Sequence, residues 1–270
     1  MFVPHSELDL KNSDLVFHWF KENKPDIVIC AAAKVGGIFA NNKYPVDFLL
    51  DNLKIQNNVI EGAWKNKVRR LLFLGSSCIY PKFSNQPIKE NYLLGNYLED
   101  TNQWYAIAKI AGFKLCQAYR QQYGCNYITA MPTNLYGPND NFHPEHSHVP
   151  AALLRRFHEA KLRGDGEVEV WGTGKPRREF LHVDDLASAC IYLLQNYSGS
   201  EAVNIGTGRD ISINEFANLI KKITEYKGKI FFDTAKPDGT MVKKLDVTKL
   251  NRLGWKSTID LKVGLTSTYF

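Results

Sequence analysis

The stretch Val68-Arg-Arg-Leu-Leu-Phe-Leu-Gly-Ser-Ser-Cys-Ile-Tyr-Pro81 decides the fold. Its apolar part stops abruptly at Gly75-Ser-Ser77. A run of about four to eight apolar residues ended by turn formers reads as a buried strand. Three other segments repeat this grammar: Asp26-Ile-Val-Ile-Cys30 before Ala31-Ala-Ala33, Tyr127-Ile-Thr-Ala-Met131 before Pro132-Thr-Asn134, and Ala202-Val-Asn-Ile205 before Gly206-Thr-Gly208. Between them lie helical patterns at 46–66, 105–123 and 183–196. Strands alternating with helices predict an α/β fold, a Rossmann-like parallel sheet flanked by helices. Ligands of such sheets gather beyond the carboxyl ends of the strands, where the small and polar residues cluster here.

The remainder reads as a smaller C-terminal lobe closing over the ligand edge. Ser212 caps a helix reaching Tyr226, with Glu215 completing a capping box. Lys229-Ile-Phe-Phe232 is a short strand, and Lys236-Pro-Asp-Gly-Thr240 is a loop. The expected domains are 1–135 with about 179–208 for the cofactor, and 136–178 with 209–270 for the substrate.

Composition narrows the function classes. Hydrophobic residues make up 44% and charged residues 23%, which excludes a disordered or collagenous chain. No apolar run reaches the ~18 residues of a membrane span, and MFVPHSELDL, with no basic start before an apolar stretch, is not expected to act as a signal peptide. Five scattered cysteines without a C-x-x-C pair argue against a disulfide scaffold and against zinc, and suggest reduced thiols in the cytoplasm. The net charge of +6 is not gathered into a stripe, so an anionic small molecule suits it better than nucleic acid.

The sharpest chemical signal is Tyr105-Ala-Ile-Ala-Lys109. Residues four apart share one helical face. An ammonium near a phenol favours the phenolate and is expected to lower the Tyr105 pKa from ~10, for proton exchange with a carbonyl or alcohol. The pair alone is unspecific. With Ser76 at a strand's carboxyl end, able to hydrogen-bond the same carbonyl, it gains meaning.

With these residues the chain resembles the extended short-chain dehydrogenase/reductase family. Ala31-Ala-Ala-Lys-Val-Gly-Gly37, Gly75-Ser-Ser-Cys-Ile-Tyr-Pro81, Pro132-Thr-Asn-Leu-Tyr-Gly-Pro138, Asp140-Asn-Phe-His143, Ser147-His-Val149, Trp171-Gly-Thr-Gly174 and Arg178-Glu-Phe-Leu-His-Val-Asp-Asp185 carry the likeness from about Glu7 to Tyr269. Cys78 and His148 single out members that epimerise C3 and C5 of GDP-4-keto-6-deoxy-D-mannose and then reduce C4 with NADPH. The resemblance implies Cys78 as base and His148 as acid. It makes Tyr105 the proton donor to O4, with Ser76 beside it, and Lys109 the holder of the NADP(H) ribose. It implies cofactor contacts from Leu74, Gly75, Ser76, Ser77, Pro132, Thr133, Asn134, Leu135 and His148, and substrate contacts from Arg156, Trp171, Arg178 and Lys243. It also implies a homodimer. His143, His146 and His182 lack carboxylate partners at helical spacing, so no metal is assigned.

The chain departs from the family in one respect. It carries no G-x-x-G-x-x-G turn, which in the family brings backbone N–H groups and a helix N-terminus to the cofactor pyrophosphate. A strand-helix-strand unit of roughly 30 residues is therefore expected to be missing before His5-Ser-Glu-Leu-Asp-Leu10. Ile27–Cys30 is then expected to be a bare apolar edge. NADPH binding is expected to be poor and the chain inactive alone. The competing readings are another nucleotide-sugar epimerase or dehydratase on the same scaffold, and a non-catalytic remnant that keeps the sugar-nucleotide pocket.

Overall fold

The computed structural model describes every residue except Phe2, Glu145 and Pro237, and only the backbone of residue 38. Pro237 of the expected 236–240 loop thus lies outside the described residues. The chain forms two compact units: residues 1–83, 90–132 and 190–204, and residues 84–89, 133–189 and 205–270.

The first unit holds the expected sheet. Its order is Ile27–Cys30, Arg70–Leu74, Tyr127–Pro132, Val203–Ile205. The first three strands run parallel, with Ile29 opposite Leu72 and Leu72 opposite Ile128. Leu71, Leu72 and Phe73 are fully buried, as a strand covered on both faces requires. Each such side chain contributes about 1.5–3 kcal/mol by leaving water. Ile27–Cys30 forms the edge, and Ile27 and Ile29 are 42% and 45% exposed. The apolar edge is therefore present as expected.

Helices Pro45–Lys65 and Gln103–Tyr123 pack against each other beside this sheet. Pro45 occupies the first helical turn, where its missing N–H costs nothing, and Gly124 closes the second helix in a left-handed conformation. Helix Ser13–Asn23, which the sequence pattern did not single out, is capped by Asn12 and buries Val16 and Phe20 against Ile60 and Ala63.

In the second unit, strand Glu167–Trp171 pairs in parallel with Lys229–Asp233, which extends the expected strand at 229–232 by one residue. Its burial alternates, so Val168 and Val170 enter the core while Trp171 points outward. Helices Val149–Arg163 and Ile213–Ile223 close this core through Leu153, Leu154, Phe157, Phe216 and Ile220. The expected capping box is formed. Ser212 Oγ accepts from the Glu215 backbone N–H at 3.1 Å, and Glu215 accepts from the Ser212 N–H at 2.9 Å. Strand Arg177–Arg178 pairs in parallel with Val242–Lys243 and antiparallel with Ile211–Ser212. No helix among the described residues is long and apolar enough to cross a membrane.

Candidate active site

Strand Arg70–Leu74 delivers the first group of residues. The Gly75 N–H continues the ladder to the Ala130 carbonyl at 2.9 Å. A Cβ on Gly75 would collide with the Met131 sulfur, so only glycine lets the strand ends approach this closely. Ser76 is extended, and its hydroxyl accepts from the Cys78 N–H at 3.2 Å, starting the single 3₁₀ turn Ser77–Ile79. That turn sets the half-buried Cys78 at the strand's carboxyl end.

Helix Gln103–Tyr123 supplies the partners. Lys109, 3% exposed, donates from Nζ to the Leu74 carbonyl at 2.9 Å. Its Nζ lies 4.8 Å from the Phe73 ring centroid and 5.9 Å from that of Tyr105. Ser76 is hydrogen-bonded to the Tyr105 phenol, and Cys78 is close enough to disfavour a phenolate there. The structure thus gathers Leu74, Gly75, Ser76, Ser77, Cys78, Tyr105 and Lys109 in the first unit.

The expected lowering of the Tyr105 pKa is reversed. Desolvation of the phenol pushes it up, Cys78 adds to this, and the Ser76 hydrogen bond opposes only part of the rise. Burial pushes the Lys109 ammonium down. The Lys109 charge is spent on the Leu74 carbonyl, and Tyr105 is held as a proton donor.

Two asparagines missed by sequence reasoning fix the neighbouring loop, residues 31–37. Asn52 is 2% exposed; its Oδ1 accepts from the Lys34 N–H at 2.8 Å and its Nδ2 donates to the Lys34 carbonyl at 3.0 Å. Asn41 Nδ2 donates to the carbonyls of Gly36 and Gly37 at 2.9 and 3.1 Å. The only signal in the sequence is an amide inside an otherwise apolar helical face.

The second unit carries the remaining predicted residues. His148 is the N-cap residue of helix Val149–Arg163. Desolvation pushes its imidazole below the usual value, Lys243 adds to this, and Asp140 opposes it; His148 is an exposed residue, so the effect is modest. Arg156 lies 5.9 Å from the Trp171 ring, which is 51% exposed, and Lys236 lies 5.6 Å from the same ring. Lys236 was missed because it sits in a loop with no periodic pattern. Arg178 and Lys243 stand opposite each other in the strand register, and Arg178 Nη1 donates to the Thr240 carbonyl at 2.5 Å.

Pro132 ends its strand in the first unit. Thr133, Asn134 and Leu135 follow in the second, where Thr133 Oγ1 and Asn134 Nδ2 both donate to the Glu179 carbonyl. His143 and His146 stack ring on ring at 4.5 Å. His182 is buried apart from them, edge-on to Tyr136 and accepting from the Asp184 N–H.

The model of the NAD dependent epimerase/dehydratase family matches residues 4–206. The chain belongs to the NAD dependent epimerase/dehydratase family. It is 60% identical over 265 residues to GDP-L-fucose synthase 1 of Arabidopsis thaliana, covering 98% of this chain and 82% of that protein. It is 53% identical over 272 residues to the GDP-L-fucose synthase of Escherichia coli, covering 97% and 85%. Among solved structures, a GDP-L-fucose synthetase from Naegleria fowleri bound to NADP matches with a TM-score of 0.93 at 30% identity, covering 100% of this chain and 83% of that one. A GDP-6-OMe-4-keto-L-xylo-heptose reductase from C. jejuni matches with a TM-score of 0.94 at 40% identity, covering 100% and 88%. Ser76, Tyr105 and Lys109 all fall within the residues that the family model matches.

Proposed function

We propose that the protein converts GDP-4-keto-6-deoxy-D-mannose to GDP-L-fucose by epimerisation at C3 and C5 and reduction at C4. The observation that carries this reading is Cys78, set one short turn after Ser76 and beside the half-buried Tyr105. The synthases of similar sequence support the same substrate.

Each epimerisation removes a proton beside the C4 ketone from one face of the ring and returns one to the other. Cys78 is the base and His148 the acid. Ser76 and Tyr105 donate to the C4 oxygen as it becomes an enolate, the role of an oxyanion hole. Tyr105, kept protonated by burial, then gives its proton to that oxygen during reduction. When bound, NADPH supplies the hydride to C4. The chemistry of the donor set fits it: a buried ammonium, Lys109, lies beside the small residues of a strand end, which suits a ribose hydroxyl. Lys109, Leu74 to Ser77, Pro132 to Leu135 and His148 would hold the cofactor. Arg156, Trp171, Arg178 and Lys243, joined by Lys236, would hold the GDP moiety, with guanidinium groups on phosphate and the indole face on the base.

On this reading the first unit binds the dinucleotide and the second the sugar nucleotide. The protein works in the cytoplasm without a metal. Two copies pair through helices Pro45–Lys65 and Gln103–Tyr123, whose Val46, Leu50, Trp104 and Ile107 are exposed. The test is product analysis with the 4-keto sugar nucleotide at saturating NADPH. GDP-L-fucose is the expected product, in place of the inactivity that the missing glycine-rich turn led us to expect. A 4-reduced sugar with unchanged C3 and C5 would instead support a simple reductase, a reading favoured by the likeness to the heptose reductase.

A further inference from the structure

Glu179 is a fully buried carboxylate that the chemistry above does not use. Its Oε1 accepts from the Gly208 N–H at 2.7 Å, and its Oε2 accepts from the Leu245 N–H at 2.8 Å. The Thr207 hydroxyl donates to Oε1 at 3.4 Å. Its main-chain carbonyl takes the Thr133 hydroxyl at 3.2 Å and the Asn134 amide at 2.9 Å. The turn Gly206-Thr-Gly208 therefore behaves as an anion-binding nest filled by the protein's own carboxylate. Gly206 is required there, because a Cβ would collide with Oε1.

The neighbours of these contacts matter. Arg178 precedes Glu179, and Lys243 lies two residues before Leu245. Arg178 and Lys243 face each other in a parallel register only two residue pairs long. So short a pairing fixes register weakly, and a slip by one residue shifts one cation by about 3.3 Å relative to the other. The segment after Lys243 is held on one side by the Ile88 backbone, which bonds the Lys244 carbonyl and the Asp246 N–H at 2.8 Å each; the bond from Leu245 to Glu179 ties it on the other to the strand that carries Arg178 and helps fix the register.

We propose that Glu179 is a positioning residue for diphosphate recognition, setting the spacing of Arg178 and Lys243 by clamping the segment that follows Lys243 to the strand that carries Arg178. This rests on the reading that the second unit binds GDP. Glu179 touches no ligand and acts through the two cations. Glutamine cannot replace it, because its NH₂ would face one of the two backbone N–H donors.

The test measures GDP binding to the 270-residue protein by calorimetry, together with thermal unfolding, for wild type, Glu179→Gln, Glu179→Asp and Asp185→Asn. Asp185 is the matched control: it is 3% exposed and clamps Thr258 and Ile259 of the same unit, away from both cations' strands. Glu179→Gln is expected to weaken GDP binding tenfold or more, with Asp185→Asn within twofold of wild type even where the two unfold at similar temperatures. Lys243→Ala combined with Glu179→Gln is expected to lose little beyond Lys243→Ala alone. Glu179→Asp, the variant to use if Glu179→Gln does not fold, keeps the charge but draws it back, and is expected to weaken binding by an intermediate factor. GDP binding unchanged in a folded Glu179 variant, or fully additive losses in the double variant, overturns the positioning role. Wild-type protein that binds no GDP overturns the underlying reading and the proposal with it.

Discussion

The Lys109 ammonium donates to the Leu74 carbonyl at 2.9 Å, which seats the helix bearing Tyr105 on the end of the strand that delivers Ser76. The lysine thus acts through geometry, while burial governs the phenol. Tyr105→Phe is expected to lower C4 reduction by about 10²-fold or more, since a positioned acid contributes that much. Because the Tyr105 pKa is raised, its proton stays in place from neutrality to beyond the usual phenol value of about 10. The reduction step is expected to show no loss assignable to Tyr105 over that range. A pH–rate profile falling with a midpoint near 7 in wild type, and flat in Tyr105→Phe, would contradict this.

His148 titrates in the other sense. Its pKa is lowered, so the fold favours neutral imidazole. Its contribution to stability is present above the ordinary value of ~6.5 and is lost as pH falls through the folded pKa. The exposure of His148 keeps that contribution small. The proton return in epimerisation needs the imidazolium, so this step is expected to quicken as pH falls from 8 towards 6. Proton NMR of the histidine ring is expected to give a midpoint below 6.5 that disappears in His148→Asn; a midpoint above it would count against the role.

Trp171 offers an aromatic face between Arg156 and Lys236. Base stacking on an aromatic side chain is worth about 1–3 kcal/mol, or roughly five- to a hundred-and-fiftyfold in affinity. Trp171→Ala is expected to weaken GDP binding by that factor and to leave NADPH binding unchanged, as calorimetry would show. Equal losses for both ligands would place Trp171 elsewhere in the account.

Gly112 lies three residues beyond Lys109, where a Cβ would come within 2.5 Å of the Phe73 ring and 2.8 Å of the Gln56 amide. Gln56 in turn donates to the Ala108 carbonyl at 2.6 Å. Gly112→Ala is expected to destabilise the protein by about 1–3 kcal/mol despite its better helix propensity. Denaturant unfolding checks the sign, and a stabilised variant would mean the helix is seated otherwise.

The sequence made the sheet legible because each strand ends in small residues, and Ser76, Tyr105 and Lys109 because a strand end and a helical turn place them without long-range information. Cys78 and His148 were legible through family resemblance. Asn41, Asn52 and Glu179 were not, since each bonds backbone far away in the chain, and backbone leaves no residue-specific mark. The Gly206-Thr-Gly208 turn signals an anion but not that the anion is internal. The direction of the Tyr105 shift also escaped, because the i, i+4 spacing conveys nearness to a cation but not how far the phenol is desolvated.

The central claim is that Cys78 is the base of a C3/C5 epimerisation. It is tested most directly by NMR of GDP-4-keto-6-deoxy-D-mannose in D₂O without NADPH, which isolates proton exchange from reduction. Wild-type protein is expected to place deuterium at both carbons, and Cys78→Ser, folded and still binding GDP, at neither. Exchange at wild-type rate in Cys78→Ser, or none in wild type, would contradict the account.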